Sequence, residues 1–136
     1  MAYWLIKSEP STWSWDQHVK AGAADAWTGV RNHQAKQHLM AMKPGDEAFY
    51  YHSGEDKAVV GVSQVVKAAY PDPTDVSGAF VAVDFKAVRP LARPVTLAEI
   101  KADLALKDMV LVKNARLSVQ PVTEAEWRAI LARAAP

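Results

Sequence analysis

The chain has 136 residues, no cysteine, and 16 Lys+Arg against 15 Asp+Glu, for a net charge of +1. That length suits one domain over residues 1–136 with a single core, and the missing cysteines exclude disulfides and thiolate zinc sites. The near-neutral charge advertises no long polyanion-binding face.

Half of the residues are apolar and 23% are charged, a globular balance, and five are tryptophan. The N-terminal stretch lacks a basic segment followed by a long apolar one, which argues against a signal peptide. The apolar runs fall well short of the ~20 residues that span a bilayer. The expectation is a cytoplasmic protein with no membrane contact.

Tyr3 to Lys7 is aromatic and branched and reads as a strand, stopped at Glu9-Pro10. Ser14 with Gln17 forms a capping box, predicting a short helix to about Ala21, ended by Gly22. Asn32 caps a second helix through about Met42, with Ala35, Leu39 and Met42 on one stripe. Lys43-Pro44-Gly45-Asp46 is a stop and a turn. Strands over Ala48 to His52 and Ala58 to Val66 flank the Gly54–Lys57 turn as an antiparallel hairpin.

Tyr70 to Gly78 reads as loop, and Phe80 to Val88 as a strand apolar on both faces, closed by Pro90 and Pro94. Thr96 with Glu99 is a second capping box, opening a short helix near Lys101. Met109 to Val112 and Leu117 to Val119 are short extended segments. Thr123 with Glu126 is a third box, opening a helix with Trp127, Ile130, Leu131 and Ala134 on one side. The strands lie close in sequence, and their connections are mostly too short for βαβ crossovers. The expected class is α+β: a mixed, mainly antiparallel sheet curled into a β-barrel, with short flanking helices.

Metal binding is disfavoured. His33 and His38 are turned about 140° apart on a helix, and no carboxylate joins them in a ligand pattern. Phosphate-cradling glycine runs are absent, and so is a nucleophile elbow around Ser8, Ser53 or Ser118. What remains is a set of aromatics beside hydrogen-bonding residues at strand ends. It comprises Lys7-Ser8, Trp27 with Arg31-Asn32, Tyr51-His52-Ser53, and Arg116 to Gln120 with Ser118 between. A planar ligand wants flat walls and a few directed polar groups, as an unstacked nucleobase does. Core or rim packing is the competing reading of the same aromatics.

These residues resemble the EVE domain family. Tyr3-Trp4-Leu5-Ile6-Lys7-Ser8-Glu9-Pro10 resembles its opening Y-W-L-x-K-S-E-P. Trp27-Thr28-Gly29-Val30-Arg31-Asn32-His33-Gln34-Ala35-Lys36 resembles W-D-G-V-R-N-Y-Q-A-R. Phe49-Tyr50-Tyr51-His52-Ser53, Ala69-Tyr70-Pro71-Asp72-Pro73-Thr74 and Arg116-Leu117-Ser118-Val119-Gln120-Pro121-Val122-Thr123 resemble three further family motifs, in family order.

The resemblance implies a PUA-like fold and a non-catalytic reader, without cofactor or metal. Its partner would be nucleic acid carrying a flipped modified base, with modified cytosine in DNA favoured over RNA. YTH readers are looser relatives, sharing a Lys-Ser at the end of the first strand and a later Trp. By that analogy Trp27 is a pocket wall, and Ser8 and Asn32 are base-edge partners. His52 and Ser118 are further edge candidates, and Lys7, Arg31 and Arg116 would hold phosphates or the pocket floor.

Each of several assignments keeps an alternative. Arg31 and Arg116 also suit ion pairs with Glu9 or Asp84, His52 a backbone hydrogen bond, and Tyr51 core packing. Trp4, Trp13 and Trp15 are expected to pack the barrel and first helix. Thr28, His33 and Lys36 depart from the family's Asp, Tyr and Arg. Phe80 stands where the family usually has Trp, a smaller wall, and the stretch from Pro73 to Phe80 is shorter than in animal members. Two other functions compete: an ASCH-like hydrolase using Lys7, Glu9 and His52, and a general RNA- or protein-binding module. A monomer is expected, and a chain of this size leaves any effector to a separate protein.

Overall fold

The computed structural model describes residues 1–22 and 25–136. In chain order the elements are β1 (Tyr3–Ser8), α1 (Trp15–Lys20), β2 (Asp25–Trp27), α2 (His33–Ala41), β3 (Glu47–His52), β4 (Ala58–Pro71), β5 (Val81–Thr96) and α3 (Leu97–Ala102). A 3₁₀ turn (Leu104–Leu106), α4 (Val110–Lys113), β6 (Val119–Val122) and α5 (Glu124–Arg133) complete the chain.

The helix starts follow their caps. Ser14, Thr96 and Thr123 each form a reciprocal capping box, and Asn32 Oδ1 accepts from the Ala35 N–H at 2.9 Å. The sheet order is β2-β5-β4-β3-β1-β6. Only β1 and β3 run parallel, because the long α1–α2 segment lies between them; the other four pairings are antiparallel. The sheet is not closed: β2 and β6 are its two edges, so the expected barrel is an open sheet in its hydrogen bonding among the described residues.

Both faces of the sheet are covered, which explains strands that are apolar on both sides. On one face Trp4, Ile6, Ala48, Tyr50, Val83 and Phe85 pack with Trp15, Trp27 and the α2 residues Ala35 and Leu39. On the other, Leu5, Phe49, Tyr51, Val62 and Val95 pack with Ile100, Leu106, Met109, Trp127 and Ile130. The alternation Trp4/Leu5/Ile6 and Phe49/Tyr50 between these two groups is the two-residue period of a strand.

Four segments differ from the expectations. Pro90 and Pro94 do not close β5. Gly61 pairs with Pro90 and Val59 with Val95, so four residues of β5 bulge opposite one of β4, and Pro94 lies in that bulge, where no ladder N–H is required. For the same reason β4 continues past Val66 to Pro71 through register shifts. Met109 to Val112 is not extended: Val110–Lys113 form a single helical turn that buries Leu111, since a short apolar run does not specify its own period. The strand expected at Leu117 to Val119 starts at Val119 and runs to Val122. No helix among the described residues is long and apolar enough to cross a membrane.

Candidate functional site

A cleft of about 460 Å³ opens where the end of β1 meets β2 and the turn that follows it. Its lining comes from Lys7, Ser8, Thr12, Trp13, Asp25 to Val30 and Ser118. That size lies within the usual range for small-molecule pockets.

Trp13 is held at both ends. Its carbonyl accepts the Ser8 hydroxyl at 2.8 Å and the Tyr50 hydroxyl at 2.6 Å, and its indole N–H donates to Asp25 Oδ2 at 2.6 Å. Burial pushes the Tyr50 phenol well above its ordinary value, against the opposing Ser8 hydrogen bond and with the Asp25 charge adding to the rise. It therefore stays a donor over the whole physiological range.

Trp27 meets its aromatic neighbours edge-on, Tyr50 at 5.6 Å and 85° and Phe85 at 6.0 Å and 80°. It is 7% exposed, while Trp13 is half-buried and keeps more surface open. Behind Trp13, Asp25 Oδ2 also accepts from His18 Nδ1 at 2.7 Å, and His18 Nε2 faces Ser63 Oγ at 2.8 Å. This Asp–His–Ser series has the connectivity of a hydrolase triad. Ser63 is nevertheless fully buried and cannot meet a substrate, so the series acts as a strut beneath the cleft.

The rim is fixed by Asp72. Its Oδ2 accepts from the Gly29 N–H at 2.8 Å and Arg31 Nη1 at 3.0 Å, and its Oδ1 from the Thr74 N–H and hydroxyl, both at 2.7 Å. Burial alone would raise the Asp72 carboxyl, but these donors hold it well below the ordinary carboxylate range. Gly29 has φ +82°, a left-handed conformation that a side chain would strain.

Of the residues the sequence singled out, the cleft brings together Lys7, Ser8, Trp27 and Ser118. Lys7 Nζ donates to the Ala115 carbonyl and lies 5.6 Å above the Tyr51 ring, and burial lowers its pKa. The other eight lie outside the lining. Arg31 pairs with Asp72 rather than Glu9 or Asp84, and sits 5.4 Å over Phe80. Asn32 spends its side-chain oxygen on the α2 cap. Phe80 contacts His33 at 5.0 Å and Lys36 at 6.0 Å beyond the rim.

Tyr51 packs in the core of the opposite face. His52 Nε2 accepts the Trp15 N–H at 3.0 Å, so its Nδ1 donates to Asp56 at 3.1 Å. Ser53 borders a separate hollow with Glu9, Glu55 and Asp56. Arg116 is exposed, with no ion pair among the described residues. Gln120 is buried, donating to the Leu117 carbonyl at 2.8 Å. Lys7, Glu9 and His52, the acid–base set of the hydrolase alternative, do not converge on one cleft. No group of three or more His, Asp or Glu suited to a metal occurs among the described residues.

Sequence reasoning missed Thr12, Trp13, Asp25 and the turn Thr28 to Val30. A signal for Asp25 existed: in an extended Asp-Ala-Trp segment it shares a face with Trp27. Trp13 immediately precedes the Ser14 cap, so the helix start fixes it at the end of β1.

Fold and cleft together define a PUA-like α+β protein with a small aromatic and polar pocket at one end of its sheet. The EVE domain model matches residues 2–133, and the chain belongs to the EVE domain family. A protein of Rhodopseudomonas palustris, solved by NMR, is 61% identical, with a TM-score of 0.92 over 97% of this chain and 92% of that one. Human thymocyte nuclear protein 1 is 36% identical over 163 residues, covering 96% of this chain and 72% of that protein. Its crystal structure in complex with DNA containing 5-methylcytosine aligns at 34% identity and a TM-score of 0.91, over 100% of this chain and 99% of that one. The YTH domain of Zygosaccharomyces rouxii MRB1, solved with N6-methyladenosine RNA, shares the fold at 19% identity and a TM-score of 0.60 over 97% and 83% of the two chains.

Proposed function

We propose that this protein is a non-catalytic reader of nucleic acid that takes a flipped, modified base, in the first place a modified cytosine in DNA, into the cleft between Trp13 and Trp27. The observation that carries the reading is the make-up of that cleft: two indoles, one of them locked by hydrogen bonds at its carbonyl and its ring N–H, in one lining with polar groups. Pre-organised walls of this kind reduce the ordering cost of binding. The likeness to a human protein solved with 5-methylcytosine DNA supports the choice of ligand.

Extruding a base costs a few kcal/mol, and less from a single strand. Stacking on an aromatic wall returns about 1–3 kcal/mol. With a net charge of +1, affinity drawn from phosphates is limited, and the salt dependence is correspondingly shallow. Phe80 with Arg31, Lys36 and His33 would meet the strand outside the cleft rather than the base itself. The protein acts in this reading as a cytoplasmic monomer whose effector is a separate chain.

A binding panel at fixed salt tests the proposal, using methylated, hydroxymethylated and plain oligonucleotides, single- and double-stranded. Preference for a modified strand, lost in Trp27→Ala with the circular dichroism spectrum retained, is the expected result. Equal binding of modified and plain strands would instead identify a general nucleic-acid binder.

A further inference from the structure

We infer that Asp25 is the specificity-determining residue of the cleft: its Oδ1 accepts the 4-amino group of a cytosine-type base and turns away 4-oxo bases such as thymine. This rests on the cleft being a base pocket, and it adds the group that reads the base edge.

Asp25 and Trp27 are two residues apart in β2, so they share a face, and both line the cleft. Both hydrogen bonds to the Asp25 carboxylate among the described residues fall on Oδ2, from the Trp13 indole at 2.6 Å and His18 at 2.7 Å. Two donors on one oxygen fix the carboxylate plane. They leave Oδ1 as the unoccupied acceptor of a side chain that stays 11% exposed.

The strut behind it is rigid. His18 is fully buried, stacks on Tyr50 at 5.0 Å and is fixed at its far nitrogen by Ser63. Burying this much polar surface is unfavourable unless its hydrogen bonds are met, and here they converge on aiming one carboxylate.

The chemistry follows from the inventory of donors and acceptors. An ionised carboxylate only accepts. Cytosine presents an N4 amino donor where thymine presents the O4 acceptor. The 5-methylcytosine and thymine bases carry the same methyl group, and stacking on Trp13 and Trp27 is nearly blind to the 4-position. A recessed acceptor is therefore what separates them, and the Ser8 hydroxyl, its proton committed to the Trp13 carbonyl, has no donor left to offer the O4 of thymine in compensation.

The test titrates short single-stranded oligonucleotides bearing one central 5-methylcytosine, one thymine, or one 5-methyl-2-pyrimidinone, which lacks the 4-amino group without added bulk. The parent protein is expected to bind the first at least about tenfold more tightly than either other strand. In Asp25→Asn the amide oxygen can serve Trp13 and His18 while the amide nitrogen faces the cleft. That variant is expected to lose the preference or invert it toward thymine.

Equal binding of the three strands by the parent overturns the inference, as does an unchanged preference in Asp25→Asn. The pyrimidinone arm uses the parent alone, so it decides the matter even if the variant does not fold. The two levels separate cleanly. Equal binding of the three strands that is lost in Trp27→Ala removes the role of Asp25 and keeps the pocket. Binding of the three strands that survives Trp27→Ala removes the pocket reading, and no binding of any strand removes both.

Discussion

The two faces of the sheet use aromatic rings in opposite ways. On the α5 side, Tyr3, Trp127 and Phe49 form a continuous stack, with centroids 4.5 and 3.8 Å apart and planes within 23° of each other. On the α1 side, Trp15 and Trp27 meet Tyr50 edge-on at 68° and 85°. There Trp13 is tethered through its polar atoms instead. The first arrangement fills its own volume with its own rings. The second holds its rings by edges and hydrogen bonds, and two of them, Trp13 and Trp27, line the cleft. Tryptophan count alone does not separate a core from a site; the partners of each ring do.

The largest effect expected from this contrast is on stability. Trp127→Ala removes the middle of the filled stack and should lower unfolding free energy by about 3–5 kcal/mol in urea. Its affinity for a modified strand, corrected for folded fraction, should not change. An affinity loss matching that of the cleft variants would break the comparison.

Next comes Trp13→Ala, expected to weaken binding by about 1–3 kcal/mol while costing less stability than Trp127→Ala, since Trp13 is only half-buried. Fluorescence anisotropy and urea unfolding on the same preparation check both halves. Gly61→Ala sharpens the contrast from behind the cleft. A Cβ there would lie 2.5 Å from the Trp15 ring, and overpacking of this kind costs about 1–3 kcal/mol. Urea unfolding measures that cost.

The smallest effect concerns the rim. The folded Asp72 carboxyl is held below its ordinary 3.8, so its contribution to stability is complete above 3.8 and is lost as pH falls toward the folded value. Melting temperature followed from pH 5 downward should fall less steeply for Asp72→Asn than for the parent in that acid window.

Much of the local structure was legible because it is encoded locally. Ser14, Asn32, Thr96 and Thr123 announce their helices through side-chain caps that depend on three or four neighbouring residues. The course of β5 through Pro90 and Pro94 was not legible, because it depends on the pairing of Pro90 with Gly61 and on the bulge that takes in Pro94, both set by β4. The site divides in the same way. Trp27, Ser8, Lys7 and Ser118 lie at strand ends that motifs could mark. Asp25 shares a strand face with Trp27, which a reading of Asp-Ala-Trp as extended would mark, but its role comes from His18, Trp13 and Ser63 arriving from elsewhere in the fold. Arg31 was recognised as a residue that needs an anion, but Asp72 is 41 positions away in sequence, a distance that no local pattern spans.

The central claim is that a base enters between Trp13 and Trp27. The five indole N–H resonances in a proton–nitrogen NMR spectrum test it most directly, one for each tryptophan. On titration with a short 5-methylcytosine strand, the Trp13 and Trp27 signals should shift together and saturate. The signals of Trp4, whose indole is tied to Asp46, and of Trp127 in its stack should stay in place. Saturable binding that leaves Trp13 and Trp27 unmoved would contradict the account.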